Sequence, residues 1–314
     1  MKVKVLKTSL LNIAGGTILS MMFAAHSLKA QDDIILYDVG SLSIGLLSEG
    51  HGQGKTNILV GATAEMIQRA IPDSTYPIAT NAFLVEMGDK SLLFDAGLGQ
   101  KTIDNLALYG KKPADIDAVF LTHCHGDHIG SLLINNKKSY PNATVYISKP
   151  EYDYYMNDAE MMALPENRRG GFTAVRNIFN AYKDKLVVFV PGEIENAPVL
   201  IPGVRGVAEY GHTPGHVGYL LESDGDKILM WGDLAHAMAI QMPFPEVAVS
   251  YDSNPVQAVA SRKKILKYLL DNKIQIAGAH IEFPGMGELA KSIATDGYDF
   301  MLKCSCGGYL PDKK

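Results

Sequence analysis

Apolar and polar positions along the chain alternate in short runs that predict strands, with helix-spaced stretches between them. The mixture over 33–47 predicts two short strands around Gly40, and Gly50-His51-Gly52-Gln53-Gly54 predicts a flexible loop. Residues 62–70 read as a short helix stopped by Pro72. The runs 82–86 and 91–94 flank Gly88-Asp89, a hairpin signal, and 95–99 turns the chain away. Ala118-Val119-Phe120-Leu121 reads as a short buried strand, and 143–148 as another. Residues 152–162 and 167–182 look helical, the second with a core-facing stripe of Phe172, Val175 and Phe179. A strand follows at 186–190, and 219–221 and 227–231 flank a second hairpin signal, Asp224-Gly225. Residues 255–272 form the clearest helix, with Asn254 as cap, Pro255 in its first turn, and Val256, Val259, Ala260, Leu266 and Leu269 as its apolar face. A last strand is expected at 274–279. Strand pairs separated by helices, in two rounds, point to one α/β domain.

The first thirty residues stand apart from this pattern. Lys2, Lys4 and Lys7 precede an apolar stretch at 10–25, followed by small and polar residues up to Ala30-Gln31. That is the layout of a secretory signal peptide. Asn12, Gly15, Gly16 and Ser20 interrupt it too often for a membrane span. The expectation is a leader at 1–30 and a single domain at 31–314, exported to the periplasm or secreted, with no stable membrane anchor. Losing the leader removes four lysines and no acid, which lowers the formal charge of the 314-residue chain from −5 to −9. An acidic chain without a basic run argues against nucleic acid or an anionic membrane surface as a partner, and a small-molecule substrate is the expected one. The three cysteines make no disulfide framework: Cys124 lies in a histidine cluster, and Cys304 and Cys306 are too close for a comfortable mutual bridge. Stability is left to core packing and to metal.

The chemistry concentrates at Thr122-His123-Cys124-His125-Gly126-Asp127-His128-Ile129-Gly130, directly after the 118–121 strand. Four metal-competent side chains fall within six positions, and a strand end can aim them with little freedom. Three later islands repeat the arrangement: Gly211-His212-Thr213-Pro214-Gly215-His216, Gly232-Asp233, and Ala279-His280 each follow an expected strand. Imidazoles and carboxylates together suit Zn²⁺ and similar divalent ions. Cys124, between two ligands, is read as a packed neighbour pointing away from the metals.

The order His-x-His-x-Asp-His, Gly-His-Thr-Pro-Gly-His, Gly-Asp, Ala-His resembles the metallo-β-lactamase superfamily across roughly residues 82–287. The resemblance implies a four-layer αββα sandwich with two metal ions at one edge. It implies that His123, His125 and His212 hold the first metal, that Asp127, His128 and His280 hold the second, and that Asp233 bridges them. Two Zn²⁺ are expected, with Mn²⁺ or Co²⁺ as substitutes, because His125 stands where the related di-iron branch has Glu. A water activated between the metals would attack the substrate, and Asp127 or Asp233 would carry a proton to the leaving group. Asp95 is expected to brace the ligand loops, and His216 to support or border the site.

Asp233 separates the chain from the true β-lactamase branch, which generally lacks that aspartate. The stretches 232–236, 241–245 and 279–287 resemble exported methyl parathion hydrolase-type enzymes and certain acyl-homoserine lactonases, whereas Lys303-Cys304-Ser305-Cys306 departs from that subgroup. The resemblance implies a lactonase or esterase, with organophosphate hydrolysis as the alternative. A glyoxalase II-type thioesterase, a β-lactamase and an iron persulfide dioxygenase rank below, and a homodimer is implied. His236, Met238, Met242, Phe244 and Phe283 are the expected substrate pocket. Arg168 and Arg169 are read as solvated charges, with contact to an anionic substrate as the other reading.

Overall fold

A computed structural model describes residues 35–303 and, at the outer edges of its two sheets, the strand pieces Lys4–Val5 and Tyr309–Leu310. The remainder of the expected leader, and Cys304 and Cys306, lie outside the described residues. Two eight-stranded mixed sheets pack face to face. The first runs Lys4–Val5, Ile35–Val39, Leu42–Lys55, Thr75–Met87, Lys90–Phe94, Ala118–Phe120, Thr144–Ser148, Leu186–Phe189. The second runs Val199–Ile201, Val204–Ala208, Val217–Ser223, Asp226–Met230, Gln275–Ala277, Met286–Lys291, Tyr298–Lys303, Tyr309–Leu310.

Period-two alternation sorts the side chains into layers. Leu92 and Phe94 enter the layer between the sheets while Leu93 faces outward; Phe120 is inward, Val119 and Leu121 outward; Ile228 and Met230 are inward, Leu229 and Trp231 outward. The first sheet's outward residues pack on Leu106, Tyr155, Phe172, Val175 and Phe179 from helices Gln100–Leu108, Lys149–Met156 and Gly170–Tyr182. The second sheet's pack on Ile265, Leu266 and Leu269 of helix Pro255–Asn272. The result is the four-layer αββα sandwich. Phe94, Phe120 and Tyr146 stack at 5.0 and 4.6 Å between ring centroids, and Tyr219 of the opposite sheet meets Phe120 edge-on at 5.2 Å. The Tyr219 hydroxyl donates to the Leu121 carbonyl at 2.6 Å, tying the second sheet to the strand end that delivers the histidine cluster.

Several expectations are corrected. Residues 50–54 are not a loop: the second strand continues to Lys55 and pairs with Thr75–Met87, forming a two-stranded arm past a bulge near Ser48 and Gly50. Glycine serves close packing there, since a Cβ on Gly54 would lie 2.4 Å from the Tyr76 ring. The helix expected at 152–162 breaks at Asn157, whose side chain accepts from the Ala159 amide at 2.9 Å and caps a second helix, Asp158–Ala163. Helix Pro255–Asn272 is capped by Asn254 as expected, but its buried face is Ala258, Arg262, Ile265, Leu266 and Leu269, with Val256 82 % exposed. Arg262 is buried because the carbonyls of Leu234, Pro245 and Val247 receive its guanidinium at 2.7 to 3.1 Å. Helix Gln100–Leu108 and the strand pair Met286–Lys291 and Tyr298–Lys303 were not foreseen. Among the described residues, no helix is long and apolar enough to cross a membrane.

Candidate metal centre

The strand Ala118–Phe120 ends beside Asp95, whose backbone sits in the left-handed region (φ 57°). That conformation is costly for a non-glycine residue, and here it is held by function-bearing contacts. The Asp95 carboxylate accepts from the Thr122 amide at 2.8 Å, the Thr122 hydroxyl at 2.9 Å and His128 Nδ1 at 2.8 Å. Asp95 therefore braces the start of the ligand loop and turns the Nε2 lone pair of His128 into the site.

The same device orients other ligands. His212 Nδ1 donates to Asp252 at 3.0 Å and His280 Nδ1 to the Ala79 carbonyl at 2.7 Å, leaving both Nε2 atoms for a metal. His123 Nε2, His125 Nδ1 and His212 Nε2 converge, with His125 Nδ1 2.9 and 3.0 Å from the other two. Tetrahedral coordination at zinc–nitrogen distances of about 2.0–2.1 Å spaces nitrogens by roughly 3.3 Å, so the trio fits one cation. Asp127, His128 and His280 form a second group, with Asp127 3.7 Å from each imidazole. Asp233 lies between the groups: Oδ1 is 3.1 Å from His128 Nε2, and Oδ2 is 3.2 Å from both His212 Nε2 and His280 Nε2. His128 Nε2 and Asp233 Oδ1 are fully buried and face each other without good hydrogen-bond geometry or any other partner. Orphaned buried atoms of this kind fit a divalent cation. The donor set thus fits a dinuclear metal site at one edge of the sandwich.

His216 supports the bridge. Its Nε2 accepts from the Asp233 amide and its Nδ1 donates to the Glu209 carbonyl, both at 3.0 Å. Burial lowers its pKa to about 3, so it stays a neutral, fixed tautomer. Gly232 permits this contact, since its φ is 52° and a Cβ there would lie 2.7 Å from His216 Nε2. His236 lies closer to the centre than a pocket wall: its Nε2 is 2.9 Å from Asp233 Oδ2, in one cluster with His280. Burial lowers its pKa to about 4. Cys124 packs into the first helical layer, and burial pushes its thiol up, with Glu151 and Asp95 adding to the effect.

Three supporting residues were missed by the sequence reading. Asp252 precedes the Asn254 cap and carried no signal of its own. Arg262 is 4.0 Å from Asp252 and, as a charged residue, does not stand out on an apolar helix face. Glu151 stands three residues after Ser148 and has the sequence signature of a helix capping box. Its carboxylate instead accepts from the Cys124 amide at 3.0 Å, the Thr213 hydroxyl at 2.7 Å and the Gly215 amide at 3.0 Å, joining the two histidine loops.

The centre opens into a cleft of about 1050 Å³. His125, Asp127, His212, Asp233, His236 and His280 line its base, and the arm at 53–58 and 76–80, Arg168, Ser250 and Tyr251 form its walls. Of the expected pocket, only His236 is there. Gln241 accepts from the His236 and Ala237 amides and turns the segment into a short helix, Met238–Gln241. Met238 and Met242 then pack with Trp231 and Leu234 in the second helical layer. Phe244 packs beside Ile71 and Tyr76, with the Arg69 guanidinium 5.6 Å from its ring, and Phe283 is 60 % exposed outside the cleft. Arg168 borders the cleft, whereas Arg169 donates to the carbonyls of Leu164 and Met162.

The protonation of the metal-free centre makes a prediction. Burial opposes the charged form of His212, but Asp233 and Asp252 outweigh it and raise its pKa to about 9. His128 is likewise raised, with Asp233 and Asp95 overcoming burial. Metal needs the neutral lone pairs, so binding must displace these protons. Isothermal calorimetry at pH 8 in buffers of different ionisation enthalpy is expected to show net proton release on metal binding, where ordinary imidazoles would release almost none. Affinity should weaken as pH falls from 9. Release of no protons at pH 8 would contradict the assigned hydrogen bonds.

The metallo-beta-lactamase superfamily model matches residues 75–280. An exodeoxyribonuclease, WalJ of Streptococcus pneumoniae, is 33 % identical over 108 residues, which cover 33 % of this chain and 36 % of that enzyme. In structure, the chain is similar to AidC, a dizinc quorum-quenching lactonase, with TM-score 0.75 and 26 % identity over 89 % of this chain and 97 % of AidC. It is also similar to the hydrolase AbOPH, with TM-score 0.74 and 26 % identity over 84 % and 95 %. The chain belongs to the metallo-beta-lactamase superfamily.

Proposed function

We propose that the protein is a dinuclear zinc hydrolase that opens a lactone or cleaves an ester of a small molecule. The observation that carries this reading is Asp233, a buried carboxylate set between two ligand groups, each oxygen facing imidazoles. His123, His125 and His212 would hold one ion, Asp127, His128 and His280 the other. Two ions held this way supply Lewis acidity and an activated water near neutral pH. The chain's own contribution is orientation: Asp95, Asp252 and the Ala79 carbonyl fix the imidazoles, and His216 fixes the Asp233 backbone. Asp233 is buried, whereas Asp127 is partly exposed at the base of the cleft, so Asp127 is the carboxylate a leaving group can reach for a proton. The likeness to a dizinc lactonase over most of both chains supports the lactone or ester choice. Hydrolysis at phosphorus is the second reading, favoured by the partial match to an exodeoxyribonuclease.

The test is a side-by-side assay of acyl-homoserine lactones, aryl esters, a phosphotriester, a cephalosporin and a glutathione thioester, with metal analysis of the same preparation. Turnover of lactones or aryl esters with about two zinc ions per chain is expected. Activity confined to the cephalosporin, or about one iron per chain with the zinc form inactive, would overturn the proposal.

A further inference from the structure

The cleft has an apolar side, with Ile58, Tyr76, Ile78 and Tyr251 in its wall, and two cations stand beside it. Lys55, at the end of the two-stranded arm, and Arg168, in the turn Glu166–Arg168, come from separate elements and border the same cleft. The only carboxylates among the lining residues, Asp127 and Asp233, belong to the metal clusters. Neither the Lys55 ammonium nor the Arg168 guanidinium makes an ion pair or side-chain hydrogen bond among the described residues. This is unlike Arg169 next to it, which is tied to two carbonyls. The chain carries a formal charge of −5, so two uncompensated cations over a metal centre form a local positive funnel against the overall charge. Met238, Met242, Phe244 and Phe283 lie elsewhere, so the apolar part of the wall comes from Ile58, Tyr76, Ile78 and Tyr251.

We propose that Arg168 and Lys55 receive a second, non-scissile oxyanion on the substrate, a carboxylate or a phosphonate-like group, so that the enzyme prefers anionic esters or lactones to neutral ones. This rests on the ester or lactone reading above and narrows it. Arg168 offers the planar fork that pairs with an oxyanion through two N–H donors, and Lys55 adds a mobile charge. Both are solvent-accessible, so the selectivity falls as ionic strength rises.

The experiment compares kcat/KM of the zinc-loaded protein for three matched esters: neutral 4-nitrophenyl butyrate, mono-4-nitrophenyl glutarate, and the corresponding 4-phosphonobutyrate ester. The anionic-to-neutral ratio is expected to exceed one for wild type and to fall about tenfold in Arg168→Gln, with a smaller fall in Lys55→Gln and partial retention in Arg168→Lys. The glutarate and phosphonate arms distinguish the two sources of oxyanion. Arg169→Gln is the control and should leave the ratio unchanged. A second readout does not depend on turnover: by calorimetry, glutarate should bind more tightly than butyrate, whose single carboxylate can engage only the metals, and Arg168→Gln should erase that difference. Equal kcat/KM for the neutral and anionic esters, equal binding of glutarate and butyrate, or an equal loss in Arg169→Gln would overturn the proposal. If wild type cleaves no ester or lactone, the functional reading fails, and the glutarate–butyrate comparison still decides the role of Arg168.

Discussion

Replacing Asp233 by alanine is expected to lower kcat/KM by about a thousandfold, roughly 4 kcal/mol of transition-state stabilisation, and to release at least one metal ion per chain. The size of the effect follows from how many groups depend on one carboxylate. Asp233 Oδ2 lies 2.9 Å from His236 and 3.2 Å from His212 and His280, while Oδ1 faces His128 at 3.1 Å. Its own ionised form is favoured despite burial, because His128, His280, His236 and His123 surround it. Truncation would leave those imidazoles facing a hole, with Asp127 the one carboxylate left in the ligand groups to offset the metal charge. Elemental analysis together with turnover on the best substrate checks the result. Near-normal turnover with unchanged metal content would show that the chemistry lies elsewhere.

The second large effect is expected at Glu151, which touches no proposed ligand side chain. Glu151→Ala removes the acceptor for the Cys124 amide, the Gly215 amide and the Thr213 hydroxyl at once, all in a buried setting. Unsatisfied buried donors cost about 1–3 kcal/mol each, so a loss of roughly 3–5 kcal/mol in stability is expected, allowing for relaxation. The two loops that Glu151 joins carry His123 and His125 on one side and His212 on the other, so metal affinity at the three-histidine group should fall more than at the second group. Thermal unfolding with and without chelator, combined with stepwise metal titration, separates the two consequences. Glu151→Gln keeps the shape and one carbonyl acceptor and should fall between wild type and Glu151→Ala. An unchanged melting temperature in Glu151→Ala would refute the strap.

Much of the site was legible because its chemistry is written locally. His123, His125, Asp127 and His128 sit almost side by side, and His212, Asp233 and His280 each follow a strand. The hydrogen-bond partners were less legible. Asp252 reaches His212 across 40 positions and Glu151 reaches Gly215 across 64, and neither has a local pattern to announce the distance. The arm at 50–55 misled for a physical reason: its glycines accommodate a bulge and the Tyr76 ring, and they read as flexibility only when the partner strand is out of view. Helix Pro255–Asn272 misled in the opposite sense, because Arg262 is buried only by virtue of carbonyls from Leu234, Pro245 and Val247.

Sequence pattern was enough for the layers and the family, and it picked out residues that the fold gathers into metal-competent groups. Period-two and helical alternation record which face of an element is buried, and chelating residues at strand ends record what the ends are for. What borders those groups was set by tertiary contacts. A pocket wall is made by residues distant in sequence, and small local turns choose among them: Gln241 folds Met238 and Met242 into the core, while the arm and the turn at Glu166–Arg168 bring Lys55 and Arg168 to the cleft. Side-chain polarity along the chain could not report that exchange, because apolar residues fill a core and a pocket equally well until the backbone places them.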